Sequence, residues 1–202
     1  MNNYDYHGTE DYCYPGTNIL VNKLNIRDDE QLSIAERKIT RLKLMEFFVL
    51  PVPKIFDFVL YCNIHKRIFK DIYTWAGQVR KGEFLSKGVS LFCRGSLVKS
   101  NADKIFGNLS NEKYLCNLNK REFISKMAYF MGEINALHPF REGNGRTLRE
   151  FFRQLSLNAG YTLDFSKTDK NKLLIADINA LNGDYNDLIK ILDKTIIKGD
   201  LI

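Results

Sequence analysis

His138-Pro139-Phe140-Arg141-Glu142-Gly143-Asn144-Gly145-Arg146-Thr147-Leu148-Arg149 interrupts two runs of helical apolar spacing. Before it, Phe123, Met127, Phe130, Met131, Ile134 and Leu137 trace a stripe that predicts a central helix. After it, Leu148, Phe151, Phe152 and Leu155 predict a second helix, stopped at Asn158-Ala159-Gly160. Between them stand an imidazole, a carboxylate, two glycines, an amide and two guanidiniums. A junction between buried helices has no packing need for so many polar groups, so it reads as a phosphate-binding active site.

The chemistry follows from residue types and order. Gly143, Asn144 and Gly145 at a helix start can turn successive N–H groups toward one point, at the positive end of the helix dipole. Arg146 and Arg149, three residues apart, share one side of the first turn and can close on phosphate oxygens. Glu142 offers a hard oxygen ligand beside a polyphosphate, the usual way a protein holds Mg²⁺ with help from its substrate. His138 is the one group here that takes a proton near neutral pH. Phe140 is expected to plug into the core and fix the loop. Taken singly, each residue has a plainer reading: an ion pair, turn glycines, a histidine on a helix dipole. Their close order favours the functional one.

Outward from this loop, the chain reads as one mostly α domain over residues 1–202. Residues 1–29 form an irregular lead-in with four tyrosines, and Asn18 to Leu24 is a short helical candidate. Ser33 reads as a helix cap, with Glu36 completing a capping box. Pro53 reads as the start of the next helix, whose broad apolar face runs from Ile55 to Ile72. His65 lies within it and is read as a packed core residue rather than a ligand. Gln78 to Phe92 breaks the helical period: Phe84, Leu85 and Val89 are strand formers around the turn Ser86-Lys87-Gly88. Residues 78–93 therefore form a hairpin, read either as a packed surface loop or as a flap whose edge pairs with an extended segment of another protein. Short helices are predicted at Ser100 to Leu109, Lys170 to Leu181 and Tyr185 to Ile197, with a turn at Tyr161 to Thr168.

Composition narrows the function classes. The 202 residues are 45% hydrophobic, 12% aromatic and 27% charged, enough for a real core and a charged surface. No apolar run spans a membrane, and the polar, acidic N-terminus is unlike a signal peptide. Four dispersed cysteines without CxxC spacing weigh against a structural zinc site and predict buried, reduced thiols. The net charge of +6 suits an anionic ligand. The lysines are scattered, so direct nucleic-acid binding is not expected.

The run 138–149 resembles the signature of the Fic (filamentation induced by cAMP) family, H-P-F-x-[D/E]-G-N-G-R-x-x-R, and fills every defined position. Tyr14-Pro15-Gly16-Thr17-Asn18, the segment Ile64 to Arg80 with Ile72-Tyr73-Thr74-Trp75-Ala76-Gly77, and the hairpin at Ser86-Lys87-Gly88 are similar to bacterial Fic domains. The resemblance implies a multi-helix bundle with a β-hairpin flap beside the active-site loop. It implies transfer of AMP from ATP to a Tyr, Ser or Thr hydroxyl of a target protein, with release of pyrophosphate. By the same resemblance His138 is the general base and Glu142 holds Mg²⁺. Gly143, Asn144 and Gly145 form the anion hole, Arg146 and Arg149 are its cationic partners, and Phe84, Leu85, Ser86, Lys87, Gly88 and Val89 dock the target backbone.

Many Fic enzymes are restrained by a glutamate in an [S/T]-x-x-x-E-[G/N] motif that pairs with the second motif arginine. No glutamate here fits; Glu36 follows Leu32 at the required spacing and Glu142 follows His138. The resemblance is thus to stand-alone bacterial toxins held by a separate small antitoxin, which would neutralise Arg149. Such toxins modify the ATPase subunits of DNA gyrase and topoisomerase IV in the bacterial cytoplasm. Secretion into a host is the alternative if the chain is a fragment. Rival readings are a same-fold transferase using UMP, phosphocholine or phosphate, and a non-catalytic nucleotide-binding module. The intact G-N-G-R run weighs against a kinase-type relative and favours AMP, and His138 weighs against a non-catalytic module; nucleotide choice is set by a base pocket that the sequence does not locate.

Overall fold

The computed structural model describes residues 4–7, 12–82, 84–87 and 90–198. Among them are seven α-helices: α1 (Asp29–Glu46), α2 (Phe58–Phe69), α3 (Val98–Asn111), α4 (Lys120–Leu137), α5 (Asn144–Asn158), α6 (Lys170–Leu181) and α7 (Asn186–Thr195). Five short strands accompany them: β1 (Tyr4–His7), β2 (Phe84–Lys87), β3 (Ser90–Leu91), β4 (Tyr161–Leu163) and β5 (Ile196–Lys198). The mostly α bundle with a hairpin is the expected architecture.

Helix starts are set by side-chain caps. Asn119 accepts from Glu122 N–H while the Glu122 carboxylate accepts from Asn119 N–H, a reciprocal capping box at the head of α4. Asp28 caps α1 by accepting from Gln31 N–H, so α1 begins before Ser33, and the capping role expected of Ser33 and Glu36 is not found. Asp57 caps α2 through Leu60 N–H, so the helix starts at Phe58 rather than at Pro53. Both errors have one cause: a short acidic side chain preceding the helix outcompeted the signal read from sequence.

α4 lies at the centre, packed against α3, α5, α6 and α7, while α2 packs on α5. Phe123, Met127, Met131 and Ile134 on α4 are buried, as are Phe151, Phe152 and Leu155 on α5. Tyr61 of α2 stacks on Phe140 and meets Phe151 edge-on. Each such ring contributes about 1.5–3 kcal/mol on leaving water. That aromatic layer is the floor on which residues 138–143 rest.

Three pieces differ from expectation. Ser86 and Lys87, expected in a turn with Gly88, belong to strand β2, where Ser86 pairs with Leu91 and Lys87 with Ser90. Tyr161–Leu163 is a strand, not a turn, and pairs antiparallel with Ile196–Lys198, so α7 stops at Thr195. Two three-residue strands carry too little sequence for a period-2 pattern to register. The lead-in also holds a strand. Tyr4–His7 pairs antiparallel with β2 in the register Tyr4↔Lys87 to His7↔Phe84, giving the sheet order β1-β2-β3. Asn18 to Leu24 is not helical; it is held by a Cys13↔Leu20 bridge and by Asn22, whose amide bonds Leu20 and Ile26. Gly88 and Val89 of the expected flap lie outside the described residues.

Candidate active site

His138 ends α4 in left-handed backbone (φ 42°, ψ 56°) and is buried. For a residue with a Cβ this conformation costs about 1–2 kcal/mol, so the surroundings must hold it. Phe92, just after β3, lies on the imidazole with centroids 3.8 Å apart and rings 27° from parallel. Phe140 is fully buried, as expected of a plug, and stacks at 3.8 Å on His65. Its backbone is latched by Asn144: the side-chain carbonyl accepts from Phe140 N–H at 3.0 Å and the amide donates to Phe140 C=O at 2.8 Å. The side chain of Asn144 is thus committed to shaping the loop, and what it offers an anion is its backbone N–H.

His65 is the core residue expected, with a supporting task. Its Nδ1 accepts from Gly77 N–H at 2.8 Å, which leaves Nε2 to donate to Glu142 C=O at 3.0 Å. Burial drives its pKa down to about 3. The folded value lies below the unfolded one, so acid favours the unfolded chain. The contribution is complete above about pH 6.5 and is lost as pH falls toward the folded value, by about 1.4 kcal/mol per pH unit. His65→Gln is expected to remove that slope. Urea unfolding across pH checks it; equal slopes in both proteins would refute it.

Gly143 opens α5 with φ 83° and leaves no room for a side chain, because a Cβ there would lie 2.2 Å from Phe69 Cζ. Its N–H donates to the Glu142 carboxylate at 2.9 Å, and its carbonyl accepts from Thr147 N–H and hydroxyl. The N–H groups of Asn144, Gly145 and Arg146 form the first helical turn and have no intrahelical acceptors. First-turn amides of this kind can receive an anion, the use expected of the Gly-Asn-Gly run. Arg149 folds back over them: a Cβ on Gly145 would be 3.1 Å from Arg149 Nη1.

The two arginines, paired in the sequence reading, part company in the structure. Arg146 turns to α1, with Nη2 2.6 Å from the Glu36 carboxylate, Nη1 donating to Thr40 Oγ1 at 3.3 Å, and its plane 4.7 Å above Phe69. It also lies 3.5 Å from Glu142. Glu36 accepts from Tyr73 O–H at 2.5 Å through its other oxygen. Burial first, and the Glu36 charge second, raise the Glu142 pKa. Arg149 faces Asp177 of α6, whose pKa burial raises to about 6 against the pull of that arginine. Sequence reasoning missed Glu36, Tyr73 and Asp177. Glu36 had been given a capping job, and nothing local marks the other two.

Among the described residues no cluster of three or more His, Cys, Asp and Glu side chains could hold a metal. The four cysteines are free thiols, but each is partly exposed rather than buried. Glu142 alone suits a hard cation that takes its other ligands from phosphate and water. A groove of about 640 Å³ lined by Lys167, Ile175, Asp187 and Lys190 shares no residue with the loop. No helix among the described residues is long and apolar enough to cross a membrane.

Known proteins are similar over most of the chain. VbhT of Bartonella schoenbuchensis, a protein adenylyltransferase, is 37% identical over 93% of this chain, which spans 39% of that protein. Fic of Escherichia coli, a probable protein adenylyltransferase, is 33% identical over 94% of this chain and 93% of its own length. The crystal structure of BepC, a VirB-translocated Bartonella effector from Bartonella tribocorum with bound AMPPNP, has a TM-score of 0.91 at 27% identity, covering 96% of this chain and 100% of that one. The N-terminal Fic domain of a Bep effector from Bartonella quintana with bound ADP has a TM-score of 0.92 at 27% identity, covering 96% and 98%. The Fic/DOC family matches residues 55–156, which contain the whole loop from His138 to Arg149. This chain belongs to the Fic/DOC family.

Proposed function

We propose that the chain is a protein adenylyltransferase that moves AMP from ATP to a hydroxyl group of another protein. The observation that carries this is the loop from His138, held in left-handed backbone at the end of α4, to the first turn of α5 with its uncapped amides and Arg149. A base next to an anion cradle is what phosphoryl displacement needs, since positioning and charge neutralisation do most of the work. The names of the relatives and the nucleotides bound in two structural neighbours support the same reading.

The target oxygen attacks the α-phosphorus of ATP, the bond to the bridging oxygen breaks, and pyrophosphate leaves. The proton passes from the hydroxyl to His138. The amides of Asn144, Gly145 and Arg146 receive phosphate oxygens, and Arg149 supplies positive charge there. Arg146 acts through its hold on Glu36 and Glu142. Mg²⁺, bound by Glu142 and the nucleotide, would neutralise charge on the phosphates. The flap from Phe84 to Val89 presents the target.

Incubation with α-labelled ATP, GTP, UTP and CTP in a bacterial lysate tests this reading. Covalent label from ATP is expected on a discrete protein. Label from another nucleotide would overturn the donor, and no label in the presence of nucleotide binding would overturn the activity.

We further propose that the chain is a toxin restrained by a separate antitoxin. Its targets would be the ATPase subunits of DNA gyrase and topoisomerase IV in the bacterial cytoplasm. Among the described residues Arg149 makes no ion pair with a glutamate, which favours inhibition supplied in trans. Expression without a partner is expected to arrest growth, and a harmless, silent chain would sink the proposal.

A further inference from the structure

Arg80 lies between the end of the α2 region and the flap, and its side chain is almost fully buried. Its guanidinium is spread over three carbonyls that belong to three different parts of the site. Nε donates to His138 C=O at 3.0 Å, Nη1 to Gly82 C=O before the flap, and Nη2 to Cys93 C=O after it. Backbone bonds repeat the pattern: Arg80 N–H donates to Pro139 C=O at 2.8 Å and Cys93 N–H to Ala136 C=O at 2.9 Å. Gly95 lets the two roots of the hairpin close, since a Cβ there would lie 2.3 Å from Gly82 C=O. Phe92, beside Cys93, is the ring that covers the His138 imidazole.

We propose that Arg80 is a positioning residue that fixes the flap and the base in one register. The reasoning is geometric. The guanidinium is a rigid fork with five donors in a plane, so carbonyls bonded to it cannot move independently. One of these carbonyls belongs to a residue held in a backbone conformation it would not adopt unaided. The other two bracket the hairpin. A lysine in its place keeps the charge but offers a compact head that cannot hold three carbonyls in a plane. The flap root would then drift against His138, and a drift of about 1 Å is enough to cost about 10²-fold in a reaction governed by alignment.

The proposal rests on the adenylyltransferase reading, and the test separates the two. Arg80→Lys is measured for AMP transfer, for AMPPNP affinity with Mg²⁺, and for amide hydrogen exchange of residues 84–92. Transfer kcat is expected to fall about 30- to 100-fold, while the KM for ATP and the AMPPNP affinity stay within about threefold, as alignment costs of this kind predict. Exchange across 84–92 is expected to quicken, with the α4 and α5 amides still protected. Phe92→Leu, which removes the ring but keeps the hairpin root, is expected to lower kcat with AMPPNP affinity unchanged. Transfer within threefold of the parent, or nucleotide affinity lost in step with transfer, would overturn the positioning role. If the parent chain transfers no nucleotide, the adenylyltransferase reading fails. Unchanged exchange at 84–92 in Arg80→Lys then refutes the clamp, and faster exchange there upholds it.

Discussion

Replacing His138 with alanine is expected to lower AMP transfer by about 10³-fold or more while nucleotide binding survives. A positioned base contributes about 10²–10⁴, and no other group in this loop replaces it: Asn144 is occupied with Phe140, and Arg146 with Glu36. Nucleotide affinity should persist because the cradle is built from the first-turn amides of α5 and from Arg149, beyond the altered side chain. The substitution has a structural cost as well, since alanine loses the Phe92 stack and still has to sit at φ 42°. His138→Asn controls for that cost, because asparagine tolerates left-handed backbone yet cannot accept the proton. Both variants should bind AMPPNP and neither should label protein. An alanine variant that still labels would remove His138 from the mechanism.

Gly143→Ala is expected to be the most damaging single-methyl change in the loop, destabilising the fold by about 2–5 kcal/mol. Two independent costs add. The backbone at φ 83° penalises any Cβ by about 1–2 kcal/mol. The added carbon would also sit 2.2–2.3 Å from two atoms of the Phe69 ring. That ring is fully buried and stacked on His65 at 4.7 Å, so it has nowhere to retreat, and overpacking of this kind costs about 1–3 kcal/mol. Gly145→Ala makes the useful contrast. There the new carbon meets only the end of Arg149 at 3.1 Å, a flexible group that can shift. Gly145→Ala should unfold within about 1 kcal/mol of the parent, the scale of an ordinary surface or helix-end change, but should bind nucleotide more weakly. Urea midpoints read the first effect and AMPPNP titration the second. If Gly143→Ala proves as stable as Gly145→Ala, the contact with Phe69 does not have the rigidity argued here.

The bundle and the centre of the site were legible because both leave local traces. The stripe on α4 and the run from His138 to Arg149 each declare themselves within a dozen residues. Contacts across long sequence distances leave no such trace. Glu36 and Arg146 are 110 residues apart, and Arg80 and His138 are 58 apart. Each of these residues, met alone in the sequence, is one charged side chain among many. Where local signals misled, a second local signal had won, as when Asp28 and Asp57 set helix starts ahead of Ser33 and Pro53. The two arginines show a different limit. Spacing places them on one side of a helical turn, but the direction of each guanidinium depends on which carboxylate a distant element brings near.

The pairing of Tyr4–His7 with β2 changes the arithmetic of target capture. β1 covers β2 along Phe84–Lys87 while β3 pairs only at Ser86 and Lys87, so an extended segment that used the β1 side of β2 would have to exchange with the chain's own first strand. A strand of the same chain competes for that edge without having to diffuse to it. If the proposed target docks on that side, it would have to win this exchange, which would favour tight local pairing or contacts elsewhere on the domain.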